Sequence, residues 1–410
     1  MGDVQISEWT CLDWQAHEDQ WTKLLEQSGQ DPLFLSWEWM TIWWRVFGDK
    51  PTNSLCLLAA HRDGELVGIA PLYLSTTRRF GLSVRSLQFI GQSWRDGNVI
   101  SSEYLDVIAA CSQRDQMRAL FVHHLAKAHK WSEFTLSRSA SHAKWSAAFS
   151  STSSRALAYV RNVDQGRSYQ ADLSRGFEAF RNKLGQSTRR SVWHLRRRIE
   201  GKSRFECIPA DEIDEAFAHL NRLHELRWGH PGFAGNRLQF HSELASRLAQ
   251  RGELSMTRLT TDGKVVAVLF DVRKGSNQYN IKMAFDPNVV HGFSLGLILF
   301  GYALEHAAAQ GVSTYDFLPG GGKKSDYKLH LSQARREVAT LQFVRGGLLP
   351  ALYRCRDACG WLRDSLVSWT RFASRGMTLS ISALALAVGF AGAPEFEEGE
   401  RCRNGRLMMA

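Results

Sequence analysis

The chain has 410 residues, 44% of them apolar and 22% charged, which excludes a disordered chain and is too long for one ordinary core, so two domains are expected. The seven cysteines are scattered and show neither a disulfide framework nor zinc-ligand spacing, so reduced thiols in a cytoplasmic protein, with no metal, are the expectation. Net charge is +10, and much of it sits between Arg181 and Arg204, where nine basic residues face one acid.

Met1-Gly2-Asp3-Val4 has no basic region leading into an apolar run, so no secretory signal is expected. Phe34–Phe47 carries Trp37, Trp39, Trp43 and Trp44 at mixed helical spacing. Leu55–Ala60 and Leu66–Leu74 read as strands joined by an Asp63-Gly64 turn. Leu87–Ile90 and Leu105–Ala109 read as short strands and Gln113–His129 as a helix. The Ser/Ala-rich stretch Ser137–Ser154 reads as a loop or linker. Arg175–Gly201 reads as one long basic helix, either a solvated face or a surface for phosphates, an acidic partner or anionic lipid.

Asp211–Arg227 is amphipathic, with Ile213, Phe217, Leu220, Leu223 and Leu226 near period 3.6. Val265–Val272 and Tyr279–Phe285 read as strands of a hairpin. Asp286-Pro287-Asn288 ends the second strand, a helix runs from Gly292 to Gln310, and a strand follows at Ser313–Leu318. The turn and strand Asp262-Gly263-Lys264-Val265-Val266 repeat Asp63-Gly64-Glu65-Leu66-Val67, about half a chain away. A repeat of that length suggests duplicated domains rather than a solenoid. Leu348–Ser374 reads as helical, and the apolar run Met377–Ala393 falls short of the roughly 20 residues a spanning helix wants.

Chemistry concentrates in the second half. The helix entered at His291, Gly292, Ser294 and Gly296 offers backbone N–H groups and a positive dipole end to an anion. Gly292–Gly296 also spells Gly-x-Ser-x-Gly, but the Asp286-Pro287 break argues against a hydrolase elbow. Asp316, in an apolar strand, is placed to act as a general base toward an amine. After the glycine-rich stretch Gly320–Lys324 come Tyr327, a candidate proton donor to a leaving group, and Lys328, a candidate oxyanion stabiliser. Pairing of Lys328 with Asp316 is the structural alternative. His224 falls beside an apolar helical face and reads as a core histidine or a substrate contact, while Arg227 beside Trp228 suits anion recognition.

Several ordered motifs carry a resemblance. They are Phe34–Trp39, Gly64–Leu72 and Tyr104-Leu105-Asp106, then Ser187–Arg190 with Gly201, then His224–Trp228, Ser294-Leu295-Gly296, Tyr315–Gly320 and Tyr327-Lys328. Together, over roughly residues 30–345, they resemble the CelD-like acetyltransferases of the GNAT superfamily, whose tandem-domain architecture is like that of the FemAB transferases. The resemblance implies an α/β fold with mixed sheets and two tandem GNAT-like acyltransferase domains. The expected division is 1–155 and 205–346 for the domains, 156–204 for a linker with the basic helix, and 347–410 for a helical extension. It also implies acetyl-CoA or another acyl-CoA as co-substrate, its pyrophosphate bound at residues 291–296. The implied acceptor is a small molecule or glycan precursor of exopolysaccharide or cell-envelope synthesis. Residues 181–204 would then face an acidic partner or the inner-membrane surface. The alternatives are aminoacyl transfer from tRNA, with 181–204 on the RNA, and a non-catalytic partner of a polysaccharide synthase.

Overall fold

The computed structural model describes residues 3–94, 96–128, 130–151, 157–289, 294–319 and 326–360. The chain opens with strand β1 (Val4–Trp9) and helices α1 (Cys11–Ala16), α2 (Glu18–Ser28) and α3 (Trp37–Trp43). A Thr10–Asp13 capping box starts α1 and the Ser36 hydroxyl caps α3, satisfying backbone N–H groups that the helices leave open. A meander of β2 (Asn53–Arg62), β3 (Glu65–Arg79) and β4 (Leu82–Phe89) follows, with β5 (Ile108–Ala109) on β3. Then come α4 (Arg114–Ala128), β6 (Glu133–Ser139), α5 (His142–Ser151) and the long β7 (Leu157–Asp172).

The second half begins with short helices α6 (Phe177–Asn182), α7 (Gln186–Arg189) and α8 (Arg197–Glu200). It continues with β8 (Ser203–Cys207), α9 (Ile213–Trp228), α10 (Asn236–Gln250) and the meander β9 (Leu254–Thr261), β10 (Lys264–Lys274) and β11 (Asn277–Phe285). Helix α11 (Leu295–Ala309), β12 (Thr314–Asp316), α12 (Asp326–Leu331) and β13 (Ala334–Arg345) close it.

The two halves repeat in backbone detail. Asp63 and Gly64 turn at φ 51° and 83°, Asp262 and Gly263 at 49° and 76°. Both central residues thus have the positive φ of a tight hairpin, which Asp and Gly tolerate best. In β2·β3 the pairs Arg62↔Glu65 and His61↔Leu66 are followed by an extra residue, Val67, before Ala60↔Gly68. In β9·β10 the pairs Thr261↔Lys264 and Thr260↔Val265 are followed by an extra residue, Val266, before Leu259↔Ala267. Turn and bulge therefore recur in the same register, as duplication requires.

The strands form one continuous sheet in the order β1-β2-β3-β4-β6-β13-β7-β12-β11-β10-β9-β8. Its centre is an exchange. β13, from the end of the second half, lies beside β6, and β7, from the first half, lies beside β12. Met1–Gly346 is accordingly one compact unit, and a second begins at Gly347, helical over 349–360. On one face of the sheet Trp39, Phe217, Leu220, Phe240 and Phe270 share a core. On the other, α11 packs with Val192, Ile199, Leu259 and Leu269. Each large apolar side chain so buried contributes about 1.5–3 kcal/mol relative to exposure.

Two expected segments differ. Residues 137–154 are no open linker: the end of β6 and α5 occupy most of them, and Trp145, Ala148 and Phe149 of α5 are buried. Small residues there permit close packing rather than a loop. The basic stretch 175–201 is not one helix but a broken series, because Gly185 is extended (φ −60°, ψ 151°) and a wide turn spans Arg190–His194. Phe180, Leu184, Val192 and Ile199 face α11, so the breaks let successive short pieces each turn an apolar side inward. Arg190, Arg197 and Arg198 remain exposed. Among the described residues no helix is long and apolar enough to cross a membrane; the apolar run 377–393 lies outside them.

Candidate active site

Strands β11 and β12 run parallel for three pairs only, Asn277↔Thr314, Gln278↔Tyr315 and Tyr279↔Asp316. Beyond them β11 carries a bulge. Asn280 pairs with Asp271 and Lys282 with Phe270, so Ile281 is the extra residue. A bulged residue is left out of the ladder and bends its strand. The strands therefore part immediately after Asp316, and the parting opens toward the start of α11.

Asp316 lies at the vertex, 1% exposed. Its carboxylate accepts hydrogen bonds from the Gln170 amide at 2.7 Å, the Leu318 N–H at 2.7 Å and the Tyr104 hydroxyl at 3.0 Å. Burial pushes its pKa up, opposed by these donors and by the charge of Arg336. The Arg336 guanidinium lies over the Tyr104 ring, 4.7 Å from its centroid. The Lys328 ammonium donates to the carbonyls of Phe317 at 2.7 Å and Leu318 at 3.0 Å. Burial lowers its pKa to about 8, against the pull of Asp316 and Glu103.

More buried acids surround the vertex. Asp31 accepts from the Tyr279 hydroxyl at 2.9 Å and is pushed up to about 6 by burial. Glu103 pairs with Arg138 at 2.9 Å, yet its second oxygen is buried without a hydrogen-bond partner. Burial raises Glu103 to about 7, the Arg138 charge opposing. The folded state thus holds the Glu103 proton more tightly than the unfolded chain, and stability falls as pH climbs from the ordinary glutamate value to about 7. Glu103→Gln is expected to remove roughly 3 kcal/mol of that fall, each pKa unit being worth about 1.4 kcal/mol. Urea midpoints at pH 5 and pH 8 check it; an unchanged difference between the two would refute the assignment.

Backbone strain marks the same place. Among the described residues six non-glycines have positive φ. Asp63, Phe80 and Asp262 are hairpin turns, whereas Tyr104 (59°), Arg138 (44°) and Leu318 (58°) border the acidic cluster. Such conformations cost about 1–3 kcal/mol each and gather at functional sites.

The other expected residues fall elsewhere. Ser294 is the exposed N-cap of α11, whose first turn carries no acid. Gly296 serves packing: a Cβ there would lie 3.0 Å from the Phe285 ring and 3.2 Å from Met283. His291 and Gly292 lie outside the described residues, as does the side chain of Tyr327, whose backbone belongs to α12. Arg227 lies over the rings of Phe285 (4.4 Å) and Trp228 (4.9 Å), at the mouth beside α11. His224 is buried, its Nδ1 bonded to the His230 carbonyl at 2.8 Å, the core-histidine arrangement. Two groups result, Asp316–Lys328 at the vertex and Ser294–Phe285–Arg227 at the mouth. Along β11 from Tyr279 to Phe285 they stand about 20 Å apart at ~3.4 Å per residue. Sequence reasoning missed Asp31, Glu103, Gln170 and Arg336; Tyr104 stood in a quoted motif without a role.

A cleft of about 560 Å³ lies between Phe47, Lys50 and Asn98 of the first half and His230, Gly235 and Arg237 of the second. Burial lowers the Arg237 pKa, and its Nε is buried without a hydrogen-bond partner. Rings of Phe47, Phe240, Trp39 and Phe34, in tilted and edge-to-face contact one after another, separate this cleft from Tyr104.

A meander, a helix and a strand that parts from its parallel neighbour define the GNAT acyltransferase fold, built here twice in tandem within an α/β architecture with a mixed sheet. Residues 186–329 match the family profile described as Acetyltransferase (GNAT) domain. The structure is similar to that of FemX, with a TM-score of 0.56 at 11% identity over 83% of this chain and 97% of that one. It is also similar to the C-terminal domain of a putative lysylphosphatidylglycerol synthetase from Agrobacterium fabrum (TM-score 0.48, 11% identity, 83% and 95% covered). A tandem GNAT protein from the clavulanic acid biosynthesis pathway gives a TM-score of 0.44 at 13% identity, with 84% and 99% covered. No curated protein sequence matches the chain.

Proposed function

We propose that this protein is a CelD-like acyltransferase that moves an acyl group from acyl-CoA to an amine or hydroxyl of a small acceptor. The observation that carries the reading is the bulged parting of β11 from β12 with buried Asp316 and half-buried Lys328 at its vertex. The distance from vertex to mouth is that of an extended pantetheine arm. The unacidic first turn of α11 with Ser294, and Arg227 beside it, suit the pyrophosphate end. At the vertex the acceptor's nitrogen or oxygen attacks the thioester carbonyl and gives its proton to Asp316. As the C–S bond breaks, the departing thiolate takes a proton, a role that falls to Tyr327 by its place before Lys328 in the sequence.

Lys328 has three N–H donors, and two are engaged by Phe317 and Leu318. The third serves the oxyanion that develops on the thioester carbonyl. An envelope or exopolysaccharide acceptor follows from the sequence resemblance, and the exposed Arg190, Arg197 and Arg198 suit an anionic membrane surface or acidic partner.

Binding of acetyl-CoA decides first. A ligand of the folded state at a hundred times its Kd adds about 2.7 kcal/mol of stability, so acetyl-CoA is expected to raise the melting temperature and Arg227→Ala to weaken that rise. No response to any acyl-CoA, with tRNA bound at a steep salt dependence, would favour aminoacyl transfer instead. Neither response, with a polysaccharide synthase component still bound, would favour a non-catalytic role.

A further inference from the structure

We infer that the N-terminal half has no acyl-donor cleft of its own, and that the segment filling that cleft, residues 90–94 and 96–107, completes the C-terminal site with Tyr104 as a residue positioning Asp316. The inference rests on the acyltransferase reading for its donor, but not for the contact between Tyr104 and Asp316.

The two halves begin from the same plan. β4 and β6 run parallel for Ser86–Gln88 against Glu133–Thr135, three pairs, as β11 and β12 do. The outcomes then diverge. β4 pairs with β3 without interruption from Leu82↔Arg79 to Phe89↔Leu72, so the first half lacks the bulge that β11 carries at Ile281. Only residues 286–294 link β11 to α11, whereas residues 90–113 link β4 to α4.

That longer link is stitched into the parting. The Trp94 N–H donates to the Gln88 side chain of β4 at 2.6 Å. The Gln92 amide donates to the Ser102 carbonyl and, at 3.3 Å, to the Ser137 carbonyl of β6. The Ser139 hydroxyl of β6 reaches the Leu105 carbonyl at 3.4 Å, and the Tyr73 hydroxyl of β3 reaches the Gln92 carbonyl at 2.6 Å. From α3, Trp39 donates to the Ser102 hydroxyl at 2.7 Å, and Trp43, from the same helix, to the Ile100 carbonyl at 2.9 Å. Ile100, Leu105 and Val107 are buried. Apart from one Glu103 oxygen and the Ser137 hydroxyl, which find no hydrogen-bond partner, the segment is held from within the chain where a thioester arm would otherwise lie.

The filling segment ends in a clamp. The Asp106 carboxylate holds Arg118, the Trp145 indole N–H at 3.0 Å and the Val107 N–H at 2.8 Å. Between that clamp and Ser102, Tyr104 is held at φ 59°, a conformation a bulky residue rarely adopts. The strain aims its hydroxyl at both Asp316 oxygens, 3.0 and 3.2 Å away. Among the described residues the titratable and charged groups around Asp316 are Tyr104 and Glu103 of this segment, Asp31, Tyr279 of β11, Lys328 of α12 and Arg336 of β13. Among these Tyr104 is the one that donates to the carboxylate, and that bond holds the Asp316 pKa down.

Two measurements on the full chain test this. Calorimetric titration with acetyl-CoA is expected to give one site per chain; two sites would overturn the first part. In Tyr104→Phe, the Asp316 carboxyl, followed by carbon-13 NMR and assigned with Asp316→Asn, is expected to titrate at higher pH than in the parent. The acid limb of the kcat profile should move the same way, with kcat about tenfold lower and the KM for acetyl-CoA unchanged. Unchanged carboxyl titration in a folded variant would overturn the positioning role. If acetyl-CoA does not bind at all, the donor reading fails, and the carboxyl titration, which needs no donor, still decides the role of Tyr104.

Discussion

Asp316→Asn is expected to lower kcat for acyl transfer by about 10²–10⁴-fold, the usual worth of a positioned general base. The substitution keeps the side chain's shape, so the hydrogen-bond acceptor for the Leu318 N–H is retained and the fold should survive. Binding of acetyl-CoA should be nearly unchanged, because the groups suited to the pyrophosphate stand at the other end of β11. The pH profile of the parent makes the same claim independently. Its acid limb is expected to follow Asp316, raised above the ordinary aspartate range by burial, with activity rising as that carboxyl loses its proton. Its alkaline limb is expected to follow Lys328, whose pKa burial lowers to about 8. Steady-state kinetics from pH 5 to 9, on the parent and on Asp316→Asn and Lys328→Ala, check both limbs. Full transfer by both variants would show that neither residue takes part.

Trp39→Ala should cost the compact unit about 3–5 kcal/mol, the range for removing a large buried aromatic side chain. Trp39 is 1% exposed. Its ring meets Phe34 edge-on at 4.8 Å and Phe240 at 5.0 Å, joining α3 of the first half to α10 of the second. Its indole N–H also holds Ser102, two residues before Tyr104 in the same segment. Because β7 and β13 are exchanged between the halves, the loss should appear as one shifted unfolding transition of residues 1–346, not as one half melting early. Guanidinium unfolding followed by tryptophan fluorescence and by circular dichroism checks this. Two separated transitions, or a cost below about 1 kcal/mol, would contradict a shared core.

Much of the second half was legible because its signals are local. Asp262-Gly263 sets a turn whose neighbours alternate as strands, and Ile213, Phe217 and Leu220 repeat at helical spacing. Helix α10 escaped notice although Phe240, Leu244 and Leu248 recur at helical spacing, because Gly235 at its start offers no side-chain cap to mark it. The basic stretch misled in the other direction. Helix formers such as Arg and Leu dominate it, but burying Phe180, Val192 and Ile199 against the already apolar α11 required Gly185 to break the run. A glycine at a helix start can serve an anion or close packing, and at Gly296 the ring of Phe285 across from it supplies the packing reason.

Sequence by itself determined the tandem plan and the hairpins, and it singled out Asp316 and Lys328 as candidates, since each depends on chemistry acting over a few neighbouring residues. Tertiary structure alone decided what surrounds them. Tyr104 stands 212 residues from Asp316 and Gln170 stands 146; no periodicity or motif spans such distances. The exchange of β7 and β13 likewise follows from register between strands remote in sequence. Burial, finally, sets the proton affinities of Asp31, Glu103 and Lys328. It is a property of the packed interior, where a charge loses its water and must find its partners in other parts of the chain.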